Sequence, residues 1–215
     1  MKRNLAPKLL GVYKALYDHY GPQHWWPADS RFEVIVGAIL TQNTNWKNVE
    51  KAIANLKAEG LLSPEALHTV ARQRLSRLIR PSGYFNIKAD RLKSFMDFLV
   101  SEYGCDLKAM LREKMDILRK KLLNVKGVGP ETADSILLYA AGKPVFVVDT
   151  YTRRVLSRHG LCEDKASYHQ IQSLFMENLE PDVRMFNEYH ALLVCIGKTQ
   201  CTSTPVCQGC PLQGY

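Results

Sequence analysis

The chain has 215 residues, with 29 Lys and Arg against 21 Asp and Glu and a formal net charge of +8. That length allows one or two domains with a sizeable core, and 46% hydrophobic content is ordinary for a globular protein. The excess of positive charge is dispersed, which suits a folded groove for a polyanion better than a disordered basic tail. No apolar run reaches the length of a membrane span. The N-terminal Met1-Lys2-Arg3-Asn4 is basic but has no long apolar stretch or cleavage site behind it, so a cytoplasmic protein is expected. In that setting six cysteines point to thiols or metal ligands rather than disulfides.

Taken in order, the segments are helical. Phe32, Ile35, Val36, Ile39 and Leu40 recur at helical spacing, as do Leu92, Phe95, Met96 and Leu99, and then Ile136, Leu137, Tyr139 and Ala140. Breakers at Gly21-Pro22, Gly60, Ser63-Pro64, Pro81-Ser82-Gly83, Gly104, Gly142-Pro144, Gly160 and Glu180-Pro181 cut the chain into ten or so short helices. Val145 to Val148 could pass for a strand, but with no pairing partner nearby it reads as an extended loop. The expected fold class is all-α.

Between two helical patterns stands Lys126-Gly127-Val128-Gly129-Pro130-Glu131. Both glycines permit positive φ and close backbone approach. Pro130 suits the first position of a helix, and Glu131 the first turn, where the helix dipole favours an acid. A glycine hairpin opening onto a helix N-terminus is an anion site, because its amides point outward. The next apolar run ends at Val147-Val148-Asp149-Thr150. From local sequence alone Asp149 is a helix N-cap.

The hairpin, the Gly142/Pro144 loop and Val148-Asp149-Thr150 together resemble the helix-hairpin-helix DNA glycosylases of the endonuclease III superfamily. Ile39-Leu40-Thr41-Gln42-Asn43-Thr44 resembles the family segment that probes DNA, and Gly83-Tyr84-Phe85-Asn86-Ile87-Lys88-Ala89 a family turn between helices. The resemblance spans roughly residues 25 to 210. It implies two helical lobes: 27–132 as a middle lobe ending in the hairpin, and 1–26 with 133–215 as the other, carrying a C-terminal iron–sulfur cluster loop. It also implies a monomer acting on double-stranded DNA with a damaged, flipped-out base.

The family's catalytic carboxylate falls on Asp149, which would face the positive charge that builds on the sugar as the glycosidic bond breaks. Lys126, Gly127, Val128 and Gly129 become the phosphate-binding hairpin. Gln42 and Asn43 become the wedge that fills the space left by the base, although both also suit a helix end. In bifunctional members a lysine stands two places after the second hairpin glycine and forms a Schiff base. Here that place holds Glu131, so the resemblance implies a monofunctional enzyme. Trp25, Trp26, Trp46 and Glu131 resemble the pocket of the 3-methyladenine branch. Indole faces there would stack on a flat alkylated purine, though tryptophans are most often core residues. Cys195, Cys201, Cys207 and Cys210 lie within sixteen residues. Their resemblance to the family's cluster loop implies a [4Fe–4S] cluster, with four-thiolate zinc as the alternative. The spacing departs from the family's, and Cys195 would have to supply the fourth thiolate from the preceding helix.

Overall fold

The computed structural model describes residues 5–215, and Met1-Lys2-Arg3-Asn4 lie outside the described residues. Among the described residues the regular structure is helical throughout, with no strand. Two compact units result: one from 5–27 with Pro144–Tyr215, the other Ala28–Lys143. The boundary expected after Thr132 and this one after Lys143 differ by the segment 133–143. Its Ile136, Leu137, Leu138 and Ala140 are buried, and it packs on the helix Arg31–Leu40.

In the unit Ala28–Lys143 that helix, α2, is central. Every residue from Phe32 to Leu40 is buried, as expected for a helix apolar all round. Ser30 caps it by accepting the Glu33 amide at 3.1 Å. Glu33 pairs with Lys57 at 2.8 Å, which is how a carboxylate survives in that position. Around α2 stand α3 (Trp46–Ala58), α4 (Pro64–Thr69), α5 (Arg72–Leu78), a 3-10 turn (Arg80–Ser82), α6 (Phe85–Tyr103), α7 (Leu107–Arg112), α8 (Met115–Leu123) and α9 (Pro130–Ser135). α9 continues as a π-helical segment, Ile136–Ala140, so the regular spacing of its apolar residues conceals a change in bonding, with the Ala141 amide donating to Ile136 O.

In the other unit α1 (Ala6–Tyr20) packs on α12 (Val183–Thr199), and α10 (Thr150–Arg158) packs on α12 more closely still. A Cβ at Gly197 would stand 2.7 Å from Tyr151 Cβ, so the glycine sets that approach. Phe146 stacks on Phe175 of α11 (Tyr168–Met176) at 3.5 Å, with Phe186 and Tyr189 edge-on to the pair. Val145–Val148 is irregular and buried, and side chains of α11 bond to its backbone. Gln172 Nε2 donates to Phe146 O at 2.7 Å, and the Val148 amide donates to the Tyr168 hydroxyl at 3.4 Å. A segment bonded this way needs no strand partner.

Candidate active site and DNA-contacting elements

The helices flanking the hairpin are locked by one buried pair. Asp134 of α9 is fully buried, and Arg119 of α8 donates to both its oxygens, Nε at 2.7 Å and Nη2 at 3.0 Å. Such a fork-to-carboxylate pair fixes angle as well as distance. Val128 turns inward and is buried, its amide bonded to Val125 O at 3.0 Å, so this one hairpin amide is not offered outward. The two glycines differ. Gly127 has φ of 86°, as expected. Gly129 has φ of −93° and ψ of 178°, an extended conformation open to any residue, and nothing stands within 4 Å of where its Cβ would be. Conformational freedom is therefore required at Gly127 only, and Gly129 contributes bareness. Lys126 and Glu131 are both exposed.

The turn after α2 is drawn onto this hairpin. Gln42 Nε2 donates to Gly127 O at 3.1 Å and to Thr132 Oγ1 at 2.9 Å, while Arg91 of α6 donates to Gln42 Oε1. Asn43 is exposed, with φ of 53°, a left-handed conformation that asparagine tolerates. The expected wedge pair is thus divided: Gln42 is bonded within the protein at both ends of its amide, and Asn43 projects. Lys88, which sequence reasoning did not single out, is 1% exposed. Its ammonium donates to Leu40 O at 2.8 Å and Ser82 O at 2.6 Å, tying the C-terminal end of α2 to the 3-10 turn. Burial, with Arg91 nearby, lowers its pKa to about 8.

Asp149 lies in the other unit. It is the N-cap of α10, and Oδ1 accepts the Thr152 amide at 2.7 Å. Oδ2 faces Nε2 of His190 on α12 at 3.7 Å, with the two side chains 12% and 7% exposed. Burial lowers the pKa of His190, Asp149 raises it and Lys198 lowers it, with a net downward shift that keeps the imidazole neutral at pH 7. The Thr152 hydroxyl, in the same first turn, is buried without a hydrogen-bond partner. Cap and catalytic roles are compatible, since a carboxylate held through one oxygen keeps its charge and the other oxygen.

Trp25 and Trp26 are half-buried, their rings 5.2 Å apart and tilted by 54°. The Lys198 ammonium lies 5.8 Å from the Trp25 ring and 5.8 Å from that of Tyr151. Trp46, half-buried, opens α3 in the other unit.

The expected grouping of Cys195, Cys201, Cys207 and Cys210 is not found. Among the described residues no three or more His, Cys, Asp or Glu side chains gather closely enough to hold a metal ion. Cys201, Cys207 and Cys210 line one pocket, Cys201 buried and Cys207 exposed, and burial pushes the Cys195 thiol up. Protein groups organise the loop instead. Arg154 donates to Gly197 O and Cys201 O, each at 2.7 Å. Arg158 donates to Thr202 O at 2.6 Å, Ser203 O at 3.1 Å and Cys201 Sγ at 3.3 Å.

Residues 36–181 match the model of the HhH-GPD superfamily of base excision DNA repair proteins. A putative DNA repair glycosylase of Methanocaldococcus jannaschii is 48% identical over 217 residues, covering 100% of this chain and 98% of that protein. Endonuclease III of Sulfolobus acidocaldarius is 30% identical over 86% of this chain and 80% of its own length. Among solved structures, the H. pylori 3-methyladenine DNA glycosylase bound to 1,N6-ethenoadenine has a TM-score of 0.76 at 28% identity, covering 88% of this chain and 97% of that one. A non-covalent endonuclease III–DNA complex shares the fold, with a TM-score of 0.83 at 22% identity over 96% and 92% of the two chains. The chain belongs to the HhH-GPD superfamily of base excision DNA repair glycosylases.

Proposed function

We propose that this protein is a monofunctional DNA glycosylase, removing alkylated purines such as 3-methyladenine from double-stranded DNA by hydrolysis and acting as a monomer. The observation that carries the reading is an acid where an amine would be needed. Glu131 stands exposed in the first turn after the hairpin, and a carboxylate cannot form a Schiff base with the sugar. Water is then the nucleophile. The carboxylate of Asp149 stabilises the oxocarbenium-like sugar as the C1′–N bond breaks and takes the proton of the attacking water, while the electron pair leaves with the base.

In this reading the hairpin Lys126-Gly127-Val128-Gly129 holds a phosphate, Asn43 enters the stack, and Gln42 supports it from the hairpin side. Trp25, Trp26, Trp46 and Glu131 contribute to the base pocket. The purine preference draws support from the H. pylori enzyme, whose structure holds 1,N6-ethenoadenine. The indole faces suit a flat, cationic purine such as 3-methyladenine, and the Lys198 ammonium lies 5.8 Å from the Trp25 ring.

The test is a set of duplexes each carrying one lesion: 1,N6-ethenoadenine, 3-methyladenine, uracil or thymine glycol. The expected result is release of a purine adduct with the strand left intact. Strand cleavage coupled to base release, with the enzyme trapped on abasic DNA by borohydride, would move the protein to an endonuclease III-like pyrimidine glycosylase with lyase activity, the reading favoured by its similarity to the Sulfolobus enzyme.

A further inference from the structure

The Asp149 carboxylate has two oxygens, and the N-cap accounts for one. Oδ1 is fixed by the Thr152 amide at 2.7 Å. Oδ2 stands 3.7 Å from Nε2 of His190 on α12, a different helix, in contact but beyond direct hydrogen-bond length. A core histidine with only a packing role could be any apolar residue of similar size. This one directs a ring nitrogen at the second oxygen of the one carboxylate on which the chemistry rests. α10 and α12 approach closely at Gly197 and are tied by Arg154, so the distance between the two side chains is set by rigid elements rather than a loop.

We propose that His190 is the positioning residue of Asp149: its imidazole packs behind the second carboxylate oxygen and holds it in the orientation that faces the sugar. The inference rests on the assignment of Asp149 given above. The charged groups acting on the ring are Asp149 and Lys198. Burial favours the neutral form of the imidazole.

The experiment compares two substitutions of nearly equal shape, His190→Gln and His190→Met. Gln returns a polar nitrogen near the position of Nε2, and Met fills the same volume with an apolar chain. The readouts are single-turnover base release, affinity for abasic DNA and melting temperature. His190→Met should release base about ten- to a hundredfold more slowly, the scale of a misplaced catalytic group. It should bind abasic DNA as the wild type does, and Gln should recover most of the loss. A folded His190→Met protein with the wild-type rate overturns the proposal, as does a His190→Gln protein as slow as His190→Met. Should neither variant fold, nitrogen NMR of the wild-type imidazole decides: its ring signals should shift in Asp149→Asn, and unchanged signals overturn the proposal. Asp149→Asn also separates the two inferences. Turnover in that variant removes the catalytic assignment, whereas an inactive Asp149→Asn beside a fully active His190→Met removes the role of His190 alone.

Discussion

Gly127 and Arg91 lie so close that a Cβ on the glycine would stand 2.3 Å from Arg91 Cγ. The same arginine donates to Gln42, and Gln42 in turn donates to Gly127 O. The hairpin, the first turns of α6 and the turn after α2 therefore meet at one glycine. Substitution there acts twice, through a φ of 86° and through displacement of Arg91. Gly127→Ala should cost about 1–2 kcal/mol of stability and weaken binding to all DNA sequences alike. Gly129→Ala is the contrast. With an ordinary φ and open space around it, the variant should keep its stability within about 0.5 kcal/mol. It should still lose salt-dependent affinity if the bare backbone approaches a phosphate. Equal melting temperatures for both variants would contradict the distinction.

Asp149 carries a cap and a charge, and two substitutions separate them. Asparagine keeps an oxygen for the Thr152 amide, so Asp149→Asn should fold with unchanged stability and release no base. Alanine removes both, so Asp149→Ala should be equally inactive and less stable by about 1 kcal/mol. Thermal melting with the base-release assay checks both. If Asn and Ala melt alike, the 2.7 Å cap contributes nothing measurable.

Much of this was legible in the sequence because punctuation is local. Gly127, Pro130 and Gly142-Pro144 mark turns wherever they occur, and the helix breaks fall near them. Val145–Val148 was readable as an extended loop, but the bonds from Gln172 and Tyr168 that satisfy it come from a helix twenty or more residues on. Lys88 reads as a surface charge in sequence, since burial is a property of the neighbours. His190 sits among apolar residues of α12 and carried no signal without Asp149 beside it. The cysteine spacing suggested a ligand set, and spacing alone could not show that Arg154 and Arg158 occupy the loop's interior contacts.

Lys88 gives a pH dependence whose sign can be worked out. Its pKa is about 8 in the folded protein against 10.5 for an ordinary lysine. Between those values the unfolded chain holds the proton and the folded one releases it, so raising the pH through that window favours folding. Below pH 8 both states are protonated and the penalty of burying the ammonium is fully present. Lys88→Met removes the titration but strands Leu40 O and Ser82 O. The wild type should therefore gain stability relative to Lys88→Met as pH rises from 8 to 10. A difference in melting temperature independent of pH would show that the two carbonyls hold Lys88 near its usual pKa.

The C-terminal loop predicts an order of thiol reactivity. Cys207 is exposed and should react first with a thiol reagent, whereas Cys201, buried and bonded to Arg158, should react last. Arg158→Ala should bring Cys201 forward and lower the melting temperature, while Cys207→Ser should leave both stability and base release unchanged. Brown protein with iron near four per chain, its colour lost in Cys207→Ser, would show that the thiols regroup around a cluster.

The acid after the hairpin offers a gain-of-function test. Glu131 is exposed in the first turn of α9, so a lysine there gives up the favourable placement of an acid near the helix N-terminus, worth about 0.3–1 kcal/mol. Glu131→Lys places an amine where bifunctional relatives of the resembled family carry theirs. If the absence of that amine is what keeps the wild type from forming a Schiff base, the variant should become trappable on abasic DNA by borohydride while the wild type stays untrapped. Ordinary lysine is mostly protonated at pH 7, so trapping should increase as pH rises toward 9, where more free amine attacks the sugar carbon. Asp149 should be needed for base release in both proteins. Efficient trapping of the wild type would mean that another lysine already supplies the amine, and the monofunctional reading would fall with it.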